Sequence, residues 1–313
     1  MTITNIPSPE DNPFSRIKVR HIFGWLLLFT LAIAFQLAII SNILGIKLDN
    51  KEPFVNGILG AYLLSLSLSL FWRECRLAGI EIKYLIGKVP DRYQWLPLVG
   101  LALASVVFSI GVFGIFYYPL SFIVPSFVEQ ILTENINNSI LRAASKSVSP
   151  ALHYLQFALD SYVITPVFAS FFLISIPLHR CAAKWGNITA IIAMCLLFGT
   201  LAYKNFTTMI ICLLIYAILY VKTRSLLVVI IFTSLQNISF TVGNLSYTIF
   251  FDNQKGSTLE IFRSQIQLRV LFFALSAPWV IGFIYKNWSV LKGPLPYFAN
   301  AAEAEKIKAD SET

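Results

Sequence analysis

The sequence predicts an all-α, polytopic membrane protein of about eight transmembrane helices, with both termini cytoplasmic. Three observations carry this expectation. Hydrophobic residues fill 57% of the 313 positions and charged residues only 13%, against roughly 25% charged in soluble domains. The apolar residues are gathered into runs close to the ~20 residues that cross a hydrocarbon core of about 30 Å. The basic residues fall between those runs, where they set topology.

A polar leader, residues 1–21, carries Arg16, Lys18 and Arg20 and precedes the first apolar run at 22–45. A removable signal has an apolar stretch of about 7–15 residues and a small-residue cleavage pattern. This run is longer and has no such pattern after it, so it is expected to stay as a span. Runs at 54–72 and 94–122 complete an N-terminal unit of residues 22–150. Runs at 155–178, 187–203, 206–221 and 225–250 form a second unit, residues 151–250. Tyr203-Lys-Asn205 leaves room for only a tight connection between the fifth and sixth spans. The eighth run, 266–285, lies within 251–290, and a tail occupies 291–313. Runs of this length are helices, because only helices and closed barrels satisfy their backbone in lipid and barrel strands are shorter.

Outside the runs, residues 74–93 alternate apolar and charged side chains, as a short interfacial element does. Phe127, Ile131, Ile136 and Ile140 in segment 125–152 have the spacing of one surface helix. The end of the tail, 303–313, is charged and reads as a solvated terminus.

With the N-terminus inside, sixteen of the 24 Lys and Arg residues fall on the inner side. These are Arg16, Lys18, Arg20, Arg73, Arg76, Lys83, Lys88, Arg92, Arg180, Lys184, Lys222, Arg224, Lys286, Lys292, Lys306 and Lys308. The outer side has Lys47, Lys51, Arg142, Lys146, Lys204, Lys255, Arg263 and Arg269. The bias places both termini in the cytoplasm. Arg269, near the start of the last span, is close enough to the surface to snorkel.

The formal charge of +8 is spread over these connections and forms no basic patch on a soluble segment, so nucleic acid is not an expected partner. Cys75, Cys181, Cys195 and Cys212 form no CxxC pair and no Cys/His cluster. No disulfide framework, metal site or cofactor is expected. Cys195 and Cys212 lie in apolar runs, where a thiol behaves as a small hydrophobe. Trp25, Trp72, Trp95, Trp185, Trp279 and Trp288 fall mostly near span ends, as an interfacial belt requires.

Between Tyr162 and Ser239 there is no Asp or Glu, and the single histidine is His179. The same stretch contains Pro166-Val-Phe168-Ala169-Ser170 followed by Ile174, then Phe198 with Ala202 four residues on. Tyr220-Val-Lys-Thr223-Arg-Ser225-Leu226 and Thr233-Ser-Leu-Gln-Asn237 follow. This pattern resembles the CAAX protease and bacteriocin-processing (CPBP) family of intramembrane proteases, which includes the type II CAAX prenyl endopeptidases. The family resembles an eight-helix membrane protein with motifs Glu-Glu-x-x-x-Arg, Phe-x-x-x-His and His-x-x-x-Asn. Pro166, Phe168, Phe198, Tyr220, Thr223, Ser225 and Leu226 match its scaffold positions. Its two glutamates correspond to Ala169 and Ser170, its arginine to Ile174, and its histidines to Ala202 and Thr233. Asn237 alone matches among the chemical positions.

The resemblance implies a glutamate-activated water with histidines and an asparagine around it. A general base must accept a proton near neutral pH. Ala169 and Ala202 cannot, and the Ser170 and Thr233 hydroxyls need an adjacent base of their own. A Ser170–His153–Asp160 set is opposed by the seventeen helical residues between Ser170 and His153, about 25 Å. His179, beside Arg180, is expected at a helix end in an interfacial role. Ala169, Ser170, Ala202, Thr233 and Asn237 are expected to line one persisting cavity. Ser170, Thr233, Gln236, Asn237 and Asn244 are expected chiefly as interhelical hydrogen-bonding groups.

The leading expectation is therefore a non-catalytic member of this protease-like family. It would act as a scaffold, chaperone or regulator in the lipid bilayer, binding another membrane protein or a lipidated peptide. The alternatives are an active CAAX-type intramembrane endopeptidase, and a transporter or channel component. The family's spread points to a bacterial plasma membrane.

Overall fold

The computed structural model describes residues 12–17, 21, 24–25, 27–32, 35, 39, 53–137, 144, 149–202, 205–251 and 258–312. The expected first span, 22–45, lies largely outside the described residues. So do Lys18, Arg20, Lys47, Lys51, Arg142, Lys146, Lys204 and Lys255.

The described chain is helical, with no strand among the described residues. The helices are α1 (Pro53–Leu77), α2 (Ile82–Ile86), α3 (Trp95–Ile123), α4 (Pro125–Asn137) and α5 (Pro150–Trp185). They continue with α6 (Asn187–Leu201), α7 (Phe206–Thr223), α8 (Leu226–Phe251), α9 (Thr258–Ser264), α10 (Ile266–Asn287) and α11 (Pro296–Glu312). Among the described residues, α3, α5, α7, α8 and α10 provide five helices long and apolar enough to cross a membrane. The shorter α6 is also apolar. The 25-residue α1 matches the run at 54–72.

The core is organised around α7. Leu213, Ile215, Ala217, Ile218 and Tyr220 are all fully buried there, and α3, α5, α6 and α8 surround it. A helix apolar on every side is stable only when wrapped in this way. The most extensive pairing joins α3 to α10. Gly111 and Gly114, one turn apart on α3, permit it: a Cβ at Gly111 would lie 2.6 Å from the Phe273 backbone nitrogen. At Gly114 it would lie 2.4 Å from Arg269 Cδ. Small residues that let backbones approach are how membrane helices pack in the absence of a hydrophobic gradient.

Helix α5 contains Pro166 and Pro177 and does not break at either. Instead it widens to π geometry over Asp160–Ile164 and Ala169–Ser175. Proline offers no N–H to the carbonyl four residues back, so the ladder must shift or leave an acceptor unpaired. It shifts: the Thr165 N–H reaches Asp160 O and the Ile176 N–H reaches Phe171 O.

Segments outside the apolar runs add detail to the sequence expectation. The spacing of Phe127, Ile131, Ile136 and Ile140 suggests one surface helix in 125–152, and α4 is helical over Pro125–Asn137, while Ile140 lies outside the described residues. Helix α4 buries Val128, Ile131 and Leu132, and Phe127 is 39% exposed. The reason is its partner: α4 docks on Tyr117 of α3 and on Leu259 and Phe262 of α9, a short helix with no sequence signal. Segment 74–93 is split: its first turn completes α1, residues 82–86 form α2, and the remainder is turn and irregular chain. The tail is helical from Pro296, with Tyr297 buried and its distal part exposed.

Candidate functional site

Helices α5 and α6 form an antiparallel hairpin about Gly186. Ser170 lies sixteen residues before that turn and Ala202 sixteen after it. At about 1.5 Å per residue both fall roughly 24 Å from the turn, at the same depth. Helix α8 runs antiparallel to α5 with Asn237 opposite Ser161 and Ser234 opposite Tyr162. That register puts Thr233 near the level of Pro166, about one helical turn from Ser170. This register sets Ala169, Ser170 and Thr233 in one layer of the bundle, whereas Asn237 bonds nine residues earlier on α5, about 13 Å along the helix from Ser170.

The layer is packed, not open. Ser170 and Ile174 are 0% exposed, Thr233 3% and Ala169 8%. The Ser170 hydroxyl oxygen is buried and has no hydrogen-bond partner among the described residues. Ala202, at the end of α6, and Asn237 are half-buried. The expected cavity is therefore closed at its centre, because small and apolar side chains let α5 settle against α6, α7 and α8.

The bonds made here are structural. Pro166 leaves Tyr162 O without its i+4 donor, and Ser234 Oγ donates to it at 2.8 Å. The π register releases Ser161 O, to which Asn237 Nδ2 donates at 2.7 Å. Ser234 and Thr233 also donate to Ile230 O and Val229 O one turn back. Asn237, the matched chemical position, thus serves to close the carbonyls that Pro166 loosens.

On the other side of α8 lies a polar cluster that the sequence indicates only at Gln236. Gln236 Nε2 donates to Ser105 Oγ at 2.8 Å and to Cys212 Sγ at 3.3 Å. The Tyr216 hydroxyl donates to Gln236 Oε1. Gln236 is 1% exposed and Ser105 fully buried, so the cluster ties α3, α7 and α8 together in the apolar interior. Cys212 is here a thiol acceptor, not only the small hydrophobe expected. Nothing in the local sequence around Ser105 or Tyr216 marks them, since their partners are 131 and 20 residues away.

A second network closes one end of the bundle. His179 was expected at the interface, but it is fully buried. Its Nδ1 lies 2.7 Å from the carbonyl of Ser175 and its Nε2 accepts the Tyr297 N–H at 3.1 Å. A carbonyl can only accept, so the partners fix the neutral Nδ1–H tautomer. Phe14 stacks on the imidazole with centroids 4.7 Å apart, and Asn12 Nδ2 donates to His179 O. Arg180 donates to Ile17 O. The Tyr220 hydroxyl donates to Leu85 O at 2.9 Å and lies 3.2 Å from Ser175 Oγ. Asn300 donates to Tyr84 O and Arg224 O, and Asn187 to Gly293 O. Gly87, at φ 64°, fits this junction because a Cβ there would lie 2.0 Å from Arg224 O. The segment at 12–17, the α1–α3 connection, the turns at 186 and 224 and the start of α11 are therefore gathered at one end.

Among the described residues, no group of three or more His, Cys, Asp or Glu side chains could hold a metal ion. Comparison with known proteins found no match to any family description, curated protein or solved structure.

Proposed function

We propose that this chain is a non-catalytic membrane protein of CPBP-like ancestry, with its basic end in the cytoplasm of a bacterium. It acts as a scaffold or regulator for another membrane protein or a lipidated peptide. The observation that carries the reading is the packing at the family's chemical positions. Ser170 and Ile174 are fully buried and Thr233 nearly so, leaving no room for a hydrolytic water beside a peptide carbonyl. The residues at those positions add no proton acceptor, and the sole histidine of residues 162–239 has both ring nitrogens engaged. General-base hydrolysis needs such an acceptor within hydrogen-bond reach of the water. The scaffold positions are in contrast well used: Tyr220, Ser225 and Leu226 are all fully buried.

The test is a proteolysis assay on the full chain reconstituted in vesicles, with a quenched fluorescent peptide in farnesylated and unmodified forms. The expected result is no turnover above empty vesicles, with saturable binding of the farnesylated peptide or of a membrane-protein partner. Turnover abolished by Ser170→Ala or Thr233→Val would overturn the proposal and favour the active endopeptidase.

A further inference from the structure

The last two turns of α1 divide cleanly. Phe71, Glu74, Cys75 and Ala78 turn inward and are buried, while Trp72, Arg73, Arg76 and Leu77 turn outward. With Ser69 these four outward side chains line a shallow, open hollow along the outer face of α1. Arg73 and Arg76 are three residues apart, so they are neighbours on one helix face. Helical side chains lean toward the helix N-terminus, which aims both guanidiniums back along the apolar part of α1 toward Ser69. Among the described residues, no carboxylate lies within ion-pair distance of either guanidinium. Trp72, 54% exposed, and Leu77, 71% exposed, flank the pair with apolar surface.

We propose that this exposed helix face binds the phosphate headgroup of an anionic phospholipid, with Arg73 and Arg76 on the phosphodiester and Trp72 and Leu77 along the first acyl carbons. Guanidinium groups match phosphate oxygens in a bidentate fork, and indole sits at headgroup level. A soluble anion would satisfy the two charges and leave the apolar flank unused. A zwitterionic lipid would bring its own cation against the guanidiniums. The occupant is therefore an anionic lipid at the end of a membrane helix. The inference rests on α1 lying in the bilayer and is independent of whether the chain is catalytic.

The experiment titrates the detergent-solubilised full chain with phosphatidylglycerol brominated on its acyl chains, against brominated phosphatidylcholine. Quenching of Trp72 is read as the difference between the wild type and Trp72→Phe. Half-quenching is expected at a much lower mole fraction of phosphatidylglycerol than of phosphatidylcholine. Arg73→Gln is expected to raise that fraction about fivefold, and Arg73→Gln with Arg76→Gln about thirtyfold, the scale of an anionic-surface contact per basic residue. Arg73→Lys with Arg76→Lys should recover part of the preference. Lys306→Gln with Lys308→Gln removes the same charge from exposed positions of α11 and should leave the preference unchanged. Both arginines are exposed, so circular dichroism should report an unaltered fold in every variant. Equal quenching by the two lipids would overturn the proposal, as would a glutamine pair without effect or an equal loss in the Lys306/Lys308 control. Displacement of the lipid by millimolar inorganic phosphate would also overturn it, by making the site one for soluble anions.

Discussion

Removing Ser234 and Asn237 together should destabilise the bundle only while Pro166 is present. Pro166 has no N–H, so Tyr162 O loses its helical donor, and the π register that follows frees Ser161 O. Ser234 and Asn237 supply the two missing donors, at 2.8 and 2.7 Å. Interhelical hydrogen bonds in membrane proteins average about 0.6 kcal/mol, so losing two costs roughly 1.2 kcal/mol. The cost rises toward about 3 kcal/mol if the carbonyls remain dry and unpaired. Pro166→Ala restores an N–H and allows α5 to return to α register, satisfying both carbonyls within the helix. In that background Ser234→Ala with Asn237→Ala should cost under about 0.5 kcal/mol, the scatter of additive sites. The coupling energy is then about 1 kcal/mol, read by SDS-titrated unfolding of the full chain in detergent micelles with tryptophan fluorescence. Equal costs in the two backgrounds would refute the assignment of these side chains as substitutes for the missing backbone donor.

Gly111→Ala forces a Cβ to within 2.6 Å of the Phe273 backbone, which cannot give way as a side chain can. It should lose about 1–3 kcal/mol in the same unfolding assay, the usual cost of overpacking. Gln236→Leu removes the acceptor of the Tyr216 hydroxyl in the interior, while Ser105 keeps its bond to Ala102 O, and should cost about 1–3 kcal/mol. Adding Tyr216→Phe should return part of that loss. His179→Ala removes the ring on which Phe14 stacks, so tryptic cleavage at Arg16 should accelerate while that of the bundle does not. Burial raises the Tyr297 hydroxyl above the ordinary tyrosine range, so the fold favours its neutral form. Its contribution is fully present below about pH 10, the unfolded value, and is lost as pH rises through the folded value. Hydrogen exchange at Ser15 and Ile17 should therefore quicken selectively above pH 10.

The apolar runs made most of the helical layout legible, because lipid leaves the backbone few alternatives. The run at 155–178 was readable as one span, yet the π stretches that shape it were not. Two prolines in a helix predict a disturbance, but whether it becomes a break or a wider register depends on donors such as Ser234, which are 72 residues away. The buried cluster at Gln236 was half legible. A glutamine in an apolar run must find partners, but Ser105, Cys212 and Tyr216 are ordinary residues until the helices assemble. His179 was misplaced for a related reason. Its neighbours Arg180 and Lys184 mark a helix end, whereas Phe14 and Tyr297 come from the two ends of the sequence and cover it. In α4, periodicity indicated the helix, while the side chains it buries, Val128, Ile131 and Leu132, are set by packing on α3 and α9.

Across residues 165–237 the side chains serve packing and backbone bonding, as the bonds around Pro166, Tyr220 and Asn237 make plain. Pro166 and Tyr220 have packing or bonding tasks independent of hydrolysis, Pro166 shifting the ladder and Tyr220 tying α7 to the α1–α3 connection, and so does Asn237, which closes the carbonyl at Ser161. Their presence can thus be sustained by folding alone. Ala169, Ser170, Ile174 and Thr233 are small, apolar or internally bonded side chains that a dry interior tolerates. A carboxylate at Ala169 or Ser170 would be desolvated with no cation among its helix neighbours, a cost of several kcal/mol. The closed layer and the missing charges therefore depend on one another. A single glutamate introduced at Ala169 or Ser170 should destabilise the bundle, and general-base hydrolysis there would need further polar partners and a water-filled space that the packing of α5 does not leave.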